Sequence, residues 1–215
     1  MQAPRVLPLG ESAITIQLGT TRSADLLRQV HAAAAQIRDE RVESVEDVIP
    51  AYLALTVFYD PAQRSYADIS QQLLGILAKK RQSGASGKSR HHVIPVTYNG
   101  IDLESVASAA RLSVDKVVQL HSAKTYTVDL LGFVPGWAYM SELDARLQIP
   151  RRQQPRPRVA AGSVAIAATQ TGVYPLDTPG GWHILGHTDV VMFDARRDQP
   201  ALLRAGDTVK FENIT

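Results

Sequence analysis

The sequence predicts an α+β chain of two domains, and three observations predict it. Up to about residue 82 the apolar residues alternate at every second position or recur at helical spacing, in the order ββαββα. Beyond about residue 125 helical spacing gives way to short β-rich segments punctuated by glycine and proline, the pattern of a β-barrel or sandwich. Between the halves runs Gln82-Ser-Gly-Ala-Ser-Gly-Lys-Ser-Arg90, which holds no large apolar side chain and reads as a linker. The expected organisation is an α/β domain over 1–82, a linker over 83–91 and a β-barrel domain over 92–215.

In the first domain, 5–9 and 13–18 are short apolar runs divided by Gly10-Glu11-Ser12, which reads as a turn. Ser23 is placed to cap a helix over 25–38, whose apolar residues Leu26, Leu27, Val30, Ala33, Ala34 and Ile37 share one face. Strands follow over 45–52 and 53–59, with Pro50 at a bend or edge. A second amphipathic helix spans 66–81. The order fits a small antiparallel sheet covered by two helices, a ferredoxin-like ββαββα arrangement.

The second domain opens with a strand over 92–98 and a helical pair over 102–110 and 114–122, the latter capped by Ser113. Strands are then expected over 126–131, 162–168, 182–185, 190–193 and 208–214. No internal repeat is visible.

Composition excludes several functions. The 215 residues carry a net charge of +2, too small an excess to argue for nucleic acid. There is no cysteine, hence no disulfide framework, thiolate zinc site, iron–sulfur cluster or cysteine nucleophile. No stretch approaches the ~20 apolar residues of a membrane span, and the first ten residues do not form a signal peptide. The chain is expected in the cytoplasm, without nucleic-acid or membrane partners.

Gly84-Ala-Ser-Gly-Lys-Ser89 superficially resembles a phosphate-binding loop, but the glycine required four residues before Gly87-Lys88 is replaced by Gln82 and a strand follows instead of a helix. The helical pair resembles a helix-turn-helix, yet its second helix carries Lys116 as its one lysine or arginine. His91-His92 has no nearby carboxylate in sequence, so no metal site is expected there. His121 ends a helix and reads equally as structural or functional.

Four segments carry more chemistry. Gly132-Phe-Val-Pro-Gly-Trp-Ala-Tyr-Met140 combines turn residues with three aromatics, and is either a pocket wall or an apolar plug closing a barrel end. Pro150-Arg-Arg-Gln-Gln-Pro-Arg-Pro-Arg158 is an extended basic run, suited to carboxylate or phosphate or simply solvated. Gln170-Thr-Gly-Val-Tyr-Pro175 precedes Thr178-Pro-Gly-Gly-Trp-His-Ile-Leu-Gly-His187, in which Pro179-Gly180-Gly181 reads as a turn offering backbone amides to an oxyanion. On a strand, His183 and His187 fall on one face about 13 Å apart, too far to share a metal.

Segments 132–140, 170–175 and 178–186, with Pro155-Arg-Pro-Arg-Val159, Ala161-Gly-Ser-Val-Ala-Ile166 and Leu202-Leu-Arg-Ala-Gly-Asp-Thr-Val-Lys-Phe211, resemble the family of 5-oxoprolinase B subunits, also known as the KipI or allophanate hydrolase subunit 1 family, in order and spacing. The resemblance covers the whole chain, weakly before residue 92 and strongly after 120. It implies a small α/β domain followed by a cyclophilin-like β-barrel. It also implies the C and A subunits of 5-oxoprolinase as partners, acting together on 5-oxo-L-proline, ATP and water to give L-glutamate, ADP and phosphate. A lactam carbonyl is a poor electrophile, and phosphoryl transfer to its oxygen would activate it. The alternatives within the family are a carboxyltransferase-type subunit of a urea or amide carboxylase and a KipI-like histidine-kinase inhibitor.

On this reading the candidate catalytic residues are His121, Gln170 and His183. The candidate substrate- or phosphate-binding residues are Phe133, Pro135, Gly136, Arg156, Arg158, Gly162, Thr171, Tyr174, Pro179, Gly180, Gly181, Trp182 and His187. ATP is the implied cofactor. Asp129, Asp144 and Asp177 are scattered in sequence, so Mg²⁺ is expected mainly on a partner protein, and the isolated chain is expected to be inactive. The chain departs from the family pattern at Ala161, where proline is usual, at Ala168-Thr169, where a glycine-containing pair is usual, at Trp137, where phenylalanine is usual, and in a short loop at Asn99-Gly100. His187 stands where Arg or Lys is usual, and as a mostly neutral group at pH 7 it would weaken any phosphate or carboxylate contact or make it pH-dependent.

Overall fold

The computed structural model describes residues 4–79 and 89–215. Most of the expected linker, and with it Gly84–Lys88 of the phosphate-loop-like string, lies outside the described residues. The chain divides into two compact units, Met1–Lys88 and Ser89–Thr215.

The first unit contains β1 (Arg5–Pro8), β2 (Ala13–Gln17), α1 (Ala24–Asp39), β3 (Val45–Pro50), β4 (Ala54–Tyr59) and α2 (Tyr66–Ala78). The four strands form an antiparallel sheet in the order β1-β2-β4-β3. β4 therefore inserts between β2 and β3, the two strands that α1 connects. Both helices begin on serine caps: Ser23 Oγ accepts from Leu26 N–H, and Ser65 Oγ from Asp68 N–H. The helix stripe Leu26, Val30, Ala34 and Ile37 meets Ile14, Ile16, Leu55 and Val57 in one apolar core.

The second unit contains β5 (His91–Val96), α3 (Leu103–Ala110), α4 (Val114–Ala123), β6 (Thr125–Leu131), β7 (Ala138–Ser141), β8 (Arg156–Val159), β9 (Ser163–Ala167), β10 (Gln170–Val173), β11 (Thr178–Gly180), β12 (His183–His187) and β13 (Thr208–Asn213). Seven of these strands form one sheet in the order β12-β9-β10-β7-β6-β13-β5, antiparallel except for the parallel β13–β5 pair. The sheet curls until a bridge between Thr97 and His187 joins its two ends, making a nearly closed barrel. β8 and β11 pair separately as a two-stranded ribbon.

β9 shows how the sequence builds two cores at once. Its residues alternate Val164 and Ile166 with Ala165 and Ala167, and all are buried. The larger pair joins the barrel interior with Tyr126, Met140 and Phe211. The alanines join a second apolar cluster with Trp137, Tyr174 and Trp182, where a small side chain leaves room for the indoles. α3 and α4 place Val106, Ala107 and Val117 in the barrel core, so the helical pair seals the barrel.

Two expectations need correction. Residues 190–193 do not form a strand and make only an isolated bridge, Phe193 with Ala201. Pro179-Gly180 is not a turn, because both residues lie in β11, which pairs with β8. Glycine and proline mark breaks in local sequence, but a ribbon partner from an earlier part of the chain overrides them at the Thr178–Val159 and Gly180–Arg156 pairs.

Candidate functional site: an aromatic pocket beside a buried aspartate clamp

The second cluster is organised around Trp137, which is 1% exposed. Its ring meets Tyr174 at 4.7 Å, Trp182 at 4.9 Å, Tyr139 at 5.8 Å and Phe133 at 5.9 Å between centroids, every pair edge-to-face. Gly180 makes the closest approach: a Cβ there would sit 2.1 Å from the Tyr174 hydroxyl oxygen, so only glycine leaves the phenol in place. The aromatic walls, with Arg151, Pro155, Pro179 and Gly181, enclose a pocket of about 220 Å³. Phe133 stands at its edge, 60% exposed, on a left-handed backbone with φ 71° that is uncommon for a residue with a side chain.

The arginine run resolves into distinct roles. Asp102, before α3, does not cap that helix with its carboxylate. Instead its Oδ1 accepts from Arg152 Nη1 at 3.0 Å and Arg156 Nη2 at 2.7 Å, and its Oδ2 accepts from Ile184 N–H at 2.8 Å. Asp102 is 3% exposed. Burial alone would raise its pKa, but the Arg156 and Ile184 hydrogen bonds and the two arginine charges outweigh that and hold it below the usual carboxylate value. Arg158 pairs with Asp177, whose other oxygen accepts from Ala161 N–H at 2.9 Å. Arg151 is the exception: its guanidinium lies 5.8 Å from the Trp182 ring centre, and no carboxylate pairs with it among the described residues.

Of the sequence candidates, Phe133, Tyr174, Pro179, Gly180, Gly181 and Trp182 come together in this pocket. Pro135 and Gly136 form the adjoining β6–β7 turn, where Gly136, at φ 81°, packs on Phe193. Arg156 stands behind the pocket on Asp102. His183 is held by Nε2 against the Pro150 carbonyl at 2.9 Å, and its buried Nδ1 has no partner.

The remaining candidates lie elsewhere. His121 is fully buried in the barrel, stacked on Phe211 at 4.7 Å. Its Nδ1 meets the Tyr98 hydroxyl at 2.7 Å and its Nε2 meets Thr171 Oγ1 at 2.8 Å. Because Thr171 donates its own proton to Ala165 O, it accepts from His121 Nε2–H, leaving Nδ1 to accept from Tyr98. Burial lowers the His121 pKa to about 3, so the ring is neutral. Neither His121 nor Thr171 reaches the pocket. Gln170 and Ser141 both donate to the buried carboxylate of Asp129. Gly162 packs on the carbonyl of Thr188.

Two expectations about histidines are corrected. His183 and His187 do not share a face: a bulge at Leu185 pairs them with Ile166 and Ser163, which point to opposite sides of β9. His92 does have a carboxylate neighbour, Asp207, 3.2 Å from its Nε2. Sequence reasoning also missed Asp102, Trp137, Tyr139, Arg151 and Pro155 as site residues. Tyr139 lies within the aromatic segment and Arg151 and Pro155 within the basic run, but nothing local marks Asp102.

Chemically, the pocket offers aromatic faces, one cation and backbone groups of a glycine pair. Burial raises the pKa of the Tyr174 phenol despite a hydrogen bond with the Trp182 backbone, so it stays a neutral donor. At 220 Å³ the pocket falls below the ~300–1,000 Å³ of sites for drug-sized ligands and does not fit a nucleoside triphosphate. Among the described residues no group of three or more His, Asp or Glu side chains could hold a metal ion. On size, this pocket does not fit Mg²⁺–ATP.

Comparison with known proteins gives the chain its relatives in sequence and fold. Residues 4–203 match the model of the family described as carboxyltransferase domain, subdomain C and D. The chain is 38% identical to the 5-oxoprolinase B subunit of Bacillus subtilis (strain 168), covering 96% of this chain and 91% of that protein. The crystal structure of TTHA0988 superposes with a TM-score of 0.84 at 37% identity, covering 94% of this chain but 39% of that longer one. K. lactis urea amidolyase superposes with a TM-score of 0.78 at 15% identity, covering 99% of this chain and 15% of its own, a likeness of fold alone. No described helix is long and apolar enough to cross a membrane.

Proposed function

The chain belongs to the carboxyltransferase domain, subdomain C and D, family shared with the 5-oxoprolinase B subunits, and from that premise we propose that it is the B subunit of an ATP-dependent 5-oxoprolinase. The observation that carries this reading is the convergence of segments 132–140 and 170–187 on one small pocket. Six of the candidate binding residues line it, and its 220 Å³ suits a small ring. Similarity to a named B subunit, 38% identical across 96% of this chain, supports the choice of substrate.

The pocket forms one wall of a cleft completed by the C subunit, with the A subunit as the lactam-hydrolysing partner. ATP and Mg²⁺ are held mainly by those partners: the pocket is too small for a nucleotide, and among the described residues no group of three or more His, Asp or Glu side chains gathers to hold a metal, while Asp102, Asp177 and Asp207 are paired with arginines. The complex acts in the cytoplasm, where ATP is supplied.

The test is co-expression with candidate C and A subunits, followed by an assay for glutamate formed from 5-oxo-L-proline with and without ATP. Turnover by the complex and none by this chain alone is the expected outcome. Turnover by the isolated chain would rule out a shared site. A second reading, a carboxyltransferase half acting on urea or another amide, is favoured by the family's own description. It predicts instead that the chain, with a biotin carrier and biotin carboxylase, carboxylates the amide.

A further inference from the structure

We propose that Arg151 is the specificity-determining residue of the aromatic pocket, reading the carboxylate of a small planar ring that the tryptophans hold. The inference rests on the 5-oxoprolinase reading only for the identity of the probe.

Three observations converge on it. First, Arg152, Arg156 and Arg158 are each bound to an aspartate, whereas Arg151 lies on the pocket with no carboxylate partner among the described residues. Second, the backbone on both sides of Arg151 is pinned. The Pro150 carbonyl meets His183 Nε2 at 2.9 Å, and Arg152 N–H donates to Gly181 O at 2.9 Å, while the Arg152 side chain is gripped by Asp102. The fixed backbone sets the point from which the Arg151 side chain enters the pocket, so binding orders only the side chain and not the loop. Third, the guanidinium sits over the Trp182 ring at 5.8 Å, which orients its N–H fork and leaves it for a ligand.

The ligand class follows from size and charge. A volume of 220 Å³ holds about seven waters at ~30 Å³ each, room for a five- or six-membered ring with one substituent. Aromatic walls favour a planar ring or amide. One unpaired guanidinium matches one carboxylate bidentately. Asp102 acts here as a positioning residue, because it touches the arginine next to Arg151 and not the pocket itself.

The chain's two tryptophans, Trp137 and Trp182, both line the pocket, so intrinsic fluorescence reports on it directly. The experiment titrates the full chain, and its complex with the C and A subunits, with 5-oxo-L-proline and with uncharged 2-pyrrolidinone. The variants are Arg151→Gln, Arg151→Lys and the control Arg196→Gln, with thermal melts confirming folding. Expected is a fluorescence change with 5-oxo-L-proline at least about tenfold tighter than with the neutral lactam. Arg151→Gln erases that preference without altering 2-pyrrolidinone binding, Arg151→Lys restores part of it, and Arg196→Gln leaves it intact. Equal binding of the two probes by the native protein, unchanged preference in Arg151→Gln, or no response to either probe in chain or complex overturns the inference. Turnover of 5-oxo-L-proline by the complex is scored separately: with turnover intact and Arg151→Gln unchanged, this inference falls and the proposed function stands. Binding that depends on Arg151 without turnover upholds this inference and overturns the proposed function.

Discussion

Thr97 and His187 exchange both backbone hydrogen bonds, N–H to carbonyl at 2.9 Å in each direction, and so join the two ends of the seven-stranded sheet. The His187 side chain is 47% exposed and lies 3.4 Å from Asp189. What the fold uses at this position is the backbone.

His187→Ala is therefore expected to change stability by no more than about 0.5 kcal/mol. Gly186→Ala is expected to cost well over ~1 kcal/mol, because a Cβ at Gly186 would lie 2.4 Å from the Thr97 carbonyl oxygen and force the seam apart. Denaturant unfolding of the two variants against the native chain checks this, and equal losses would refute it.

The buried, neutral His121 makes stability depend on pH. Its pKa falls from 6.5 in the unfolded chain to about 3 in the folded one. The unfolded state thus binds the proton that the native ring refuses. The contribution is complete above about pH 6.5 and is lost as pH falls towards 3, by roughly 1.4 kcal/mol per pH unit once well below 6.5. His121→Gln is expected to be less stable at pH 7.5 but to show a shallower loss between pH 6 and 5. Melting curves at intervals of half a pH unit measure the two slopes, and parallel slopes would contradict the assignment.

Removing the Asp102 carboxylate leaves Arg152 and Arg156 facing each other with no counter-charge and frees Ile184 N–H inside the protein. Asp102→Ala is expected to cost about 2–4 kcal/mol. Because the folded pKa is depressed, the carboxylate's contribution is present above about pH 4 and is lost as pH falls further. That window lies below the one in which His121 begins to act. In Asp102→Ala/Arg152→Met/Arg156→Met most of the loss should be recovered, and chemical denaturation of the single and triple variants decides it.

Gly180→Ala places a methyl group where the Tyr174 hydroxyl now sits. The variant is expected to keep its fold at a cost of about 1–3 kcal/mol while its tryptophan emission shifts, since both indoles border the displaced phenol. An unchanged emission maximum in a folded variant would mean that the pocket tolerates a larger residue.

The parts of the molecule legible in the sequence are those decided within a few residues. Ser23 and Ser113 cap helices through hydrogen bonds to N–H groups three residues on, and the stripe from Leu26 to Ile37 is visible as spacing. The same locality misleads at Pro179-Gly180, where turn chemistry gives way to pairing with Arg156. It also misleads at His183 and His187, where one bulged residue reverses the face of the second histidine.

By itself, the sequence determined the ββαββα order, the change to β-structure after residue 125, and the two aromatic, glycine-rich segments from which the pocket is made. Tertiary structure alone decided which arginine is left for a ligand. The four arginines between 151 and 158 are chemically alike, and they differ only because Asp102, 50 and 54 residues before its partners, takes two of them and Asp177, 19 residues after Arg158, takes the third. Barrel closure at Thr97 and His187 and the burial of His121 were decided in the same way. Each depends on groups that are brought together only when the chain has already paid the entropy of long-range pairing.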